Sequence, residues 1–173
     1  MNYLTALPAR TWRAIRTLPT GRDWLEAAGL FVAMGAAQCS LGFSTGLYHL
    51  RPATDGWPMT VLITFLAPGL GEEIPFRAVL MPGRDETSKP ILAILLTTAV
   101  FTAWHLVEAR TFLPGAWPLF SRLDFLACAA ILGLVCAISR YRSGSVWPAL
   151  VIHTAMVVVW KLWLGGPSPD ELT

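Results

Sequence analysis

Two adjacent glutamates and two histidines stand out, because all four fall inside apolar stretches. Glu72 and Glu73 lie in GLGEEIPFRAVL, His105 in AVFTAWHL and His153 in WPALVIHTAMV. A charged carboxylate at the centre of a bilayer costs about 2.5–3.5 kcal/mol even on lenient scales, so intramembrane ionisable residues are functional candidates by default. Glu73 and Arg77 are four residues apart, one helical turn, and can pair on one face. Such a pair keeps Glu73 ionised. Glu72 projects about 100° further round the helix. Two neighbouring carboxylates in low dielectric disfavour ionising together, which gives Glu72 the profile of a general base. Carboxylate plus imidazole is the equipment for taking a proton from water and stabilising what that water attacks.

Plainer readings exist for each residue. An intramembrane histidine is often a packing residue bonded to a neighbouring carbonyl, and Glu73 with Arg77 can be a structural ion pair. His49, beside Arg51, reads as an interfacial residue, and Glu108 and Arg110 as the solvated end of a span. Serine and threonine are scattered, with none in the Gly-x-Ser-x-Gly setting of a hydrolase nucleophile.

The elements that must position these groups are long apolar helices. Five spans are expected, at roughly 24–48, 59–81, 90–109, 123–140 and 145–164. The first is rich in Gly, Ala and Ser, which permits close helix packing. The second is interrupted by Pro68, Gly69, Gly71 and Pro75, an irregularity tolerated only where a helix faces protein or a wet cavity. The fragment 111–120 (TFLPGAWPLF) reads as an interfacial loop or re-entrant piece. Counting about 1.5 Å of rise per residue from the cytoplasmic end of each span puts Glu72 about 15 Å deep, His153 about 12 Å and His105 about 22 Å. Three spans thus carry acid and imidazole groups to similar depth.

Composition agrees. Of 173 residues 54% are hydrophobic and 14% charged, with a mean hydropathy of +0.54, against about 25% charged in a soluble domain. A net charge of +2 is too small to suggest nucleic acid. Trp12, Trp24, Trp57, Trp117, Trp147 and Trp163 sit beside prolines or charges, as indoles at a membrane interface do. Cys39, Cys128 and Cys136 lie in apolar stretches and read as small buried hydrophobes, not as a disulfide framework. Residues 1–22 hold four arginines but no uninterrupted apolar core, so they do not read as a signal peptide. They suggest a short basic helix on an anionic leaflet or a basic tail. Arg10, Arg13, Arg16, Arg22, Arg84, Lys89, Arg140 and Arg142 fall on one side of the bundle, and Arg51, Arg110, Arg122 and Lys161 on the other. That bias predicts a cytoplasmic N-terminus.

Taken in order, Glu72-Glu73-x-x-x-Arg77, Phe101-x-x-x-His105 and His153 after Gly-Ser-Val-Trp-Pro-Ala resemble the CPBP family of intramembrane proteases. That family includes the CaaX prenyl protease and bacterial proteins tied to bacteriocin self-immunity. The resemblance covers roughly residues 59–160. It implies that Glu72, with His105, holds and activates the attacking water, that Glu73 and Arg77 support them, and that His153 stabilises the oxyanion. The family usually has a polar residue four positions after this histidine. Here it is Val157, which donates nothing, leaving Thr154 as the first substitute to consider. Two histidines and a glutamate are also a zinc-ligand set, but no His-Glu-x-x-His helix is present, and the resemblance favours a metal-free glutamate mechanism.

The expected fold is therefore all-α, a polytopic transmembrane bundle of about five spans. It comprises a basic interfacial segment at 1–22, a membrane-embedded protease-like domain at 23–166 and a short tail at 167–173. The expected activity is hydrolysis of a peptide bond in or near the membrane, in a bacterial inner membrane. The substrate would be a peptide or membrane protein, with or without a lipid modification, with no cofactor, zinc remaining open. A non-catalytic binding or immunity protein of the same fold is one alternative. A small proton-coupled transporter is another, although no repeated half is present.

Overall fold

Residues with apolar side chains outward and polar ones inward invert the soluble pattern, and the computed structural model is built that way. It describes residues 3–168 and Glu171. Of the expected tail at 167–173, only Pro167, Ser168 and Glu171 are described; the rest lies outside the described residues. Leu25, Val32, Ile91, Leu96 and Val100 are exposed, whereas Gln38, Thr64, Glu72, Glu73, Arg77, His105 and His153 are buried. Only a hydrocarbon solvent makes that arrangement favourable.

The bundle is all helical. Helix α1 (Tyr3–Arg16) is followed by α2 (Gly21–Thr45). The start of α2 is fixed by a capping box, in which the Thr20 hydroxyl accepts from the Asp23 N–H and the Asp23 carboxylate accepts from the Thr20 N–H. The second span begins as α3 (Trp57–Thr64), widens into a π-helical segment (Phe65–Leu70), tightens for one turn in α4 (Gly71–Glu73) and widens again (Ile74–Leu80). Pro68 and Pro75 explain the alternation: each lacks an N–H and crowds the carbonyl four residues back, so the ladder slips to a five-residue spacing. Gly71 N–H reaches Leu66 O, and Met81 N–H reaches Phe76 O at 3.1 Å.

Helices α5 (Pro90–Thr111), α6 (Trp117–Phe120), α7 (Leu123–Ser143) and α8 (Trp147–Trp163) complete the chain. The fragment expected as a loop or re-entrant piece thus holds the short helix α6. Helices α2, α5 and α7 are each long and apolar enough to cross a membrane alone. The other two expected spans are the π-interrupted segment and the 17-residue α8.

Helix α7 lies at the centre, packed against α2, α5 and α8. A Cβ at Gly133 would sit 2.8 Å from the Phe101 ring, so α5 and α7 approach closely there because this residue has no side chain. Two ends result. At one, α1 docks under the second π segment through Ala14, Ala78 and Val146. Arg10 and Arg13 pair with Glu86, and the Trp147 indole donates to Ile15 O at 2.9 Å. At the other, the α2–α3 connection runs along the end of α8, Arg51 N–H bonding Trp163 O at 3.0 Å and Ala53 N–H bonding Leu162 O at 2.8 Å. Arg140, at the expected end of its span, lies buried within α7 and donates to Arg77 O at 3.0 Å. The helix simply runs one turn further than the apolar pattern indicates.

Candidate active site

The slipped ladder around α4 turns Glu72 and Glu73 into different surroundings. Glu73 is fully buried and faces two partners. His153 Nδ1 lies 2.9 Å from one of its oxygens, and Arg77 Nε 3.4 Å from the other. The Arg77 contact is an ion pair without hydrogen-bond geometry, since Arg77 Nε and Glu73 Oε2 are both without a hydrogen-bond partner. The guanidinium also lies over the Phe101 ring, 4.6 Å from its centroid. Charge and ring face hold it more than directed bonds do. This is the pair expected from the four-residue spacing. The histidine contact was not expected, because the family resemblance assigned His153 only an oxyanion role.

Glu72 lacks a counter-charge of that kind. Its side chain lines a cavity of about 540 Å³, together with His105 and His153. Its Oε2 is buried without a hydrogen-bond partner among the described residues. The three side chains that the sequence placed at similar depth therefore share one cavity, while Glu73 and Arg77 stand behind it.

The two histidines differ in which nitrogen is free. His105 Nδ1 is 3.1 Å from Phe101 O, four residues back on α5. A carbonyl only accepts, so Nδ1 carries the proton and Nε2 is the free acceptor. His153 Nδ1 faces a carboxylate, which likewise assigns the proton to Nδ1; its Nε2 becomes a donor only in the imidazolium form. Phe101 stands edge-on to both rings, with centroids 5.0 Å and 5.7 Å away, and so fixes their separation.

Beyond these groups the cavity wall is mostly apolar and aromatic, including Tyr48, Trp104, Phe120, Phe125 and Trp160. Val157 lines it too, where the family pattern has a polar side chain. Thr154 does not line it. Its hydroxyl is buried without a partner and packs over Gly69, where a Cβ would lie 2.7 Å from it.

Two cavity residues escaped sequence reasoning. Glu108, expected to be solvated, is half-buried and lines the cavity one turn beyond His105. Gln38 is buried at the cavity wall, its amide donating to Cys128 O at 2.8 Å and its Oε1 unpaired. The rule that singled out the glutamates, a polar side chain mid-span, would have found it. Among the described residues no three His, Cys, Asp or Glu side chains are grouped as a metal ion would require.

Comparison with protein-family models matches residues 54–159 to the type II CAAX prenyl endopeptidase Rce1-like family. No match is found among curated proteins or among solved structures. The matched stretch runs from the loop before α3 through His153, so it carries both glutamates, Arg77 and both histidines on one continuous pattern. More than half of the chain fits this one model, and the protein belongs to the type II CAAX prenyl endopeptidase Rce1-like family of proteases.

Proposed function

We propose that the protein is an intramembrane endopeptidase in which Glu72 activates water. The observation that carries this reading is the unpartnered Glu72 carboxylate sharing a buried cavity with the free acceptor nitrogen of His105. A water between these two acceptors gives one proton to the Glu72 carboxylate as its oxygen attacks the peptide carbonyl. The proton then passes from Glu72 to the departing amine. Charge builds on the carbonyl oxygen, and the His153 imidazolium is the donor to meet it. Glu73 lies against Nδ1 and offsets that positive charge, while Arg77 fixes Glu73. Residues that touch reacting atoms are thus Glu72, His105 and His153; Glu73 and Arg77 position them.

The apolar wall suits a substrate segment with apolar or lipid-modified side chains, lying in or near the membrane. We read the mechanism as metal-free acid–base chemistry, in a protein with its N-terminus in the cytoplasm of a bacterial cell. The non-catalytic alternative draws on Val157, which leaves the oxyanion one donor short.

The test is cleavage of a fluorogenic apolar peptide by purified protein in lipid vesicles, with and without a strong chelator. Cleavage that persists with chelator and disappears in Glu72→Gln fits the proposal. Cleavage abolished by chelator and restored by zinc would replace the mechanism with a metal-dependent one. No cleavage of any apolar peptide by the unaltered protein would favour the binding-protein reading.

A further inference from the structure

The cavity is one-sided. On the second span no lining residue lies beyond Glu72; on α5 none precedes Trp104; on α8 none precedes His153; on α7 none follows Leu132. Because neighbouring helices run in opposite directions, all four limits fall at one level. From that floor the cavity extends only toward the end where α2 joins α3 and α5 joins α6, reaching Tyr48, Phe112 and Lys161. Behind the floor the protein is sealed: Arg77, Ala78, Met81, Cys136, Ser145 and Val146 have no exposed surface. Helix α1 and the Arg10–Glu86 pair close that end further. A second cavity of about 430 Å³, lined by Arg51, Asp55 and Glu171 among others, lies at the open end and shares Ile63, Thr64 and Lys161 with the first. Both therefore lead to one face.

Charge says which face that is. The sealed end carries Arg10, Arg13, Arg16, Arg22, Arg84, Lys89, Arg140 and Arg142, and the open end only Arg51, Arg110, Arg122 and Lys161. Arginine and lysine accumulate on the cytoplasmic side of a membrane protein. We propose that the site is reached from the non-cytoplasmic face, so that its substrates are exported or membrane-anchored polypeptides presenting a segment at the outer leaflet. The nature of what is cut rests on the protease reading; the side of access does not. An apolar channel ringed by Tyr48, Phe112 and Phe120, with Lys161 and Glu108 as its charged groups, takes an apolar segment whose polar flank stays in the outer aqueous layer. The second cavity lies on that same side, with Arg51, Asp55 and Glu171 on its wall.

The experiment reads accessibility without catalysis. Single cysteines are placed in a Cys39→Ala, Cys128→Ala, Cys136→Ala background: Phe112→Cys at the rim, Met156→Cys in the cavity wall and Arg16→Cys at the sealed end. Each is exposed to a small charged, membrane-impermeant thiol reagent in sealed right-side-out and in inverted membrane vesicles. Leu50→Cys, an exposed position at the open end, repeats the rim measurement should Phe112→Cys disturb the fold. The expected result is reaction of the rim and wall cysteines in right-side-out vesicles, with Arg16→Cys reacting only in inverted ones. The reverse pattern overturns the proposal, as does a wall cysteine that reacts only from the inverted side or from neither. If the labelling is as expected but an outward-facing substrate is never cut, the protease reading fails and the side of access stands.

Discussion

Glu72 and Glu73 are neighbours in the chain and opposites in the fold. Glu73 belongs to the sealed half, where its carboxylate meets the Arg77 guanidinium and the His153 ring. Glu72 belongs to the cavity, where its Oε2 meets nothing among the described residues. A related contrast runs between the two ends, although the Glu73–Arg77 pair itself is held by charge without a hydrogen bond. Arg10, Arg13 and Glu86 pair at the sealed end, whereas Gln38 Oε1, Thr64 Oγ1 and the indole N–H groups of Trp104 and Trp160 are left unpaired along the cavity. A buried polar group without a partner costs about 1–3 kcal/mol. Such costs persist where a bound molecule can supply the missing partner. Paired charge marks the sealed half, and the carboxylate proposed as the base lies in the other.

The comparison can be broken most forcefully at Glu72 itself. Glu72→Gln keeps the shape and removes the proposed base, so turnover should fall by about 10²–10⁴ with no loss of thermal stability. A variant that still cleaves, measured by turnover on a fluorogenic peptide, would place the base elsewhere. Arg77→Ala should do the converse. It leaves Glu73 buried opposite an empty site, a loss of roughly 3–5 kcal/mol in unfolding free energy, read from denaturation in detergent. Unchanged stability would mean that the carboxylate is not dependent on its cation.

Val157→Asn sharpens the boundary between the two regions. Adding a donor in the cavity should raise turnover about tenfold, below the about 10²–10³ carried by a fully aligned oxyanion donor. Apparent substrate affinity should stay constant, because the gain arises only in the transition state. A stable variant with no gain would show that another group already meets the oxyanion.

The smallest effect lies at Glu86, outside the membrane. Burial alone would raise its carboxyl, but hydrogen bonds from Arg13, the Gly83 N–H and Arg10 outweigh burial and hold it below the usual carboxylate range. Its contribution is therefore complete above the unfolded value near 4.5 and drains away as pH falls through the lower folded value. Glu86→Gln should cost about 1 kcal/mol at neutral pH after solvent screening. The difference from the unaltered protein should vanish in acid, as followed by melting temperature against pH.

What the sequence made legible was whatever depends on one helix at a time. The Glu73–Arg77 pair follows from four-residue spacing, and the similar depth of Glu72, His105 and His153 follows from rise per residue. The hydrogen bond from His153 to Glu73 does not, because it depends on how α8 is rotated against α4. Glu108 was misread for the same reason: whether the end of a span is wet or lines a cavity is decided by α6 and α7 across from it. Pro68, Gly69, Gly71 and Pro75 announced an irregular span, yet not that it would widen into π turns on both sides of the glutamates. The wider ladder is one solution among several to a missing N–H, and packing selects it.

The docking of α1 has a consequence for how the chain is made. Every surface that α1 rests on is synthesised after it: the second π segment, then Glu86, and finally the start of α8, whose Trp147 bonds Ile15 across 132 residues. At about 5–20 residues per second the helix waits on the order of ten seconds for its last partner. Trp12 and Arg13, both exposed on the finished bundle, suit the membrane interface in that interval. Helix α1 thus emerges before everything it docks on, and the end of the bundle that it closes is completed only when α8 has arrived.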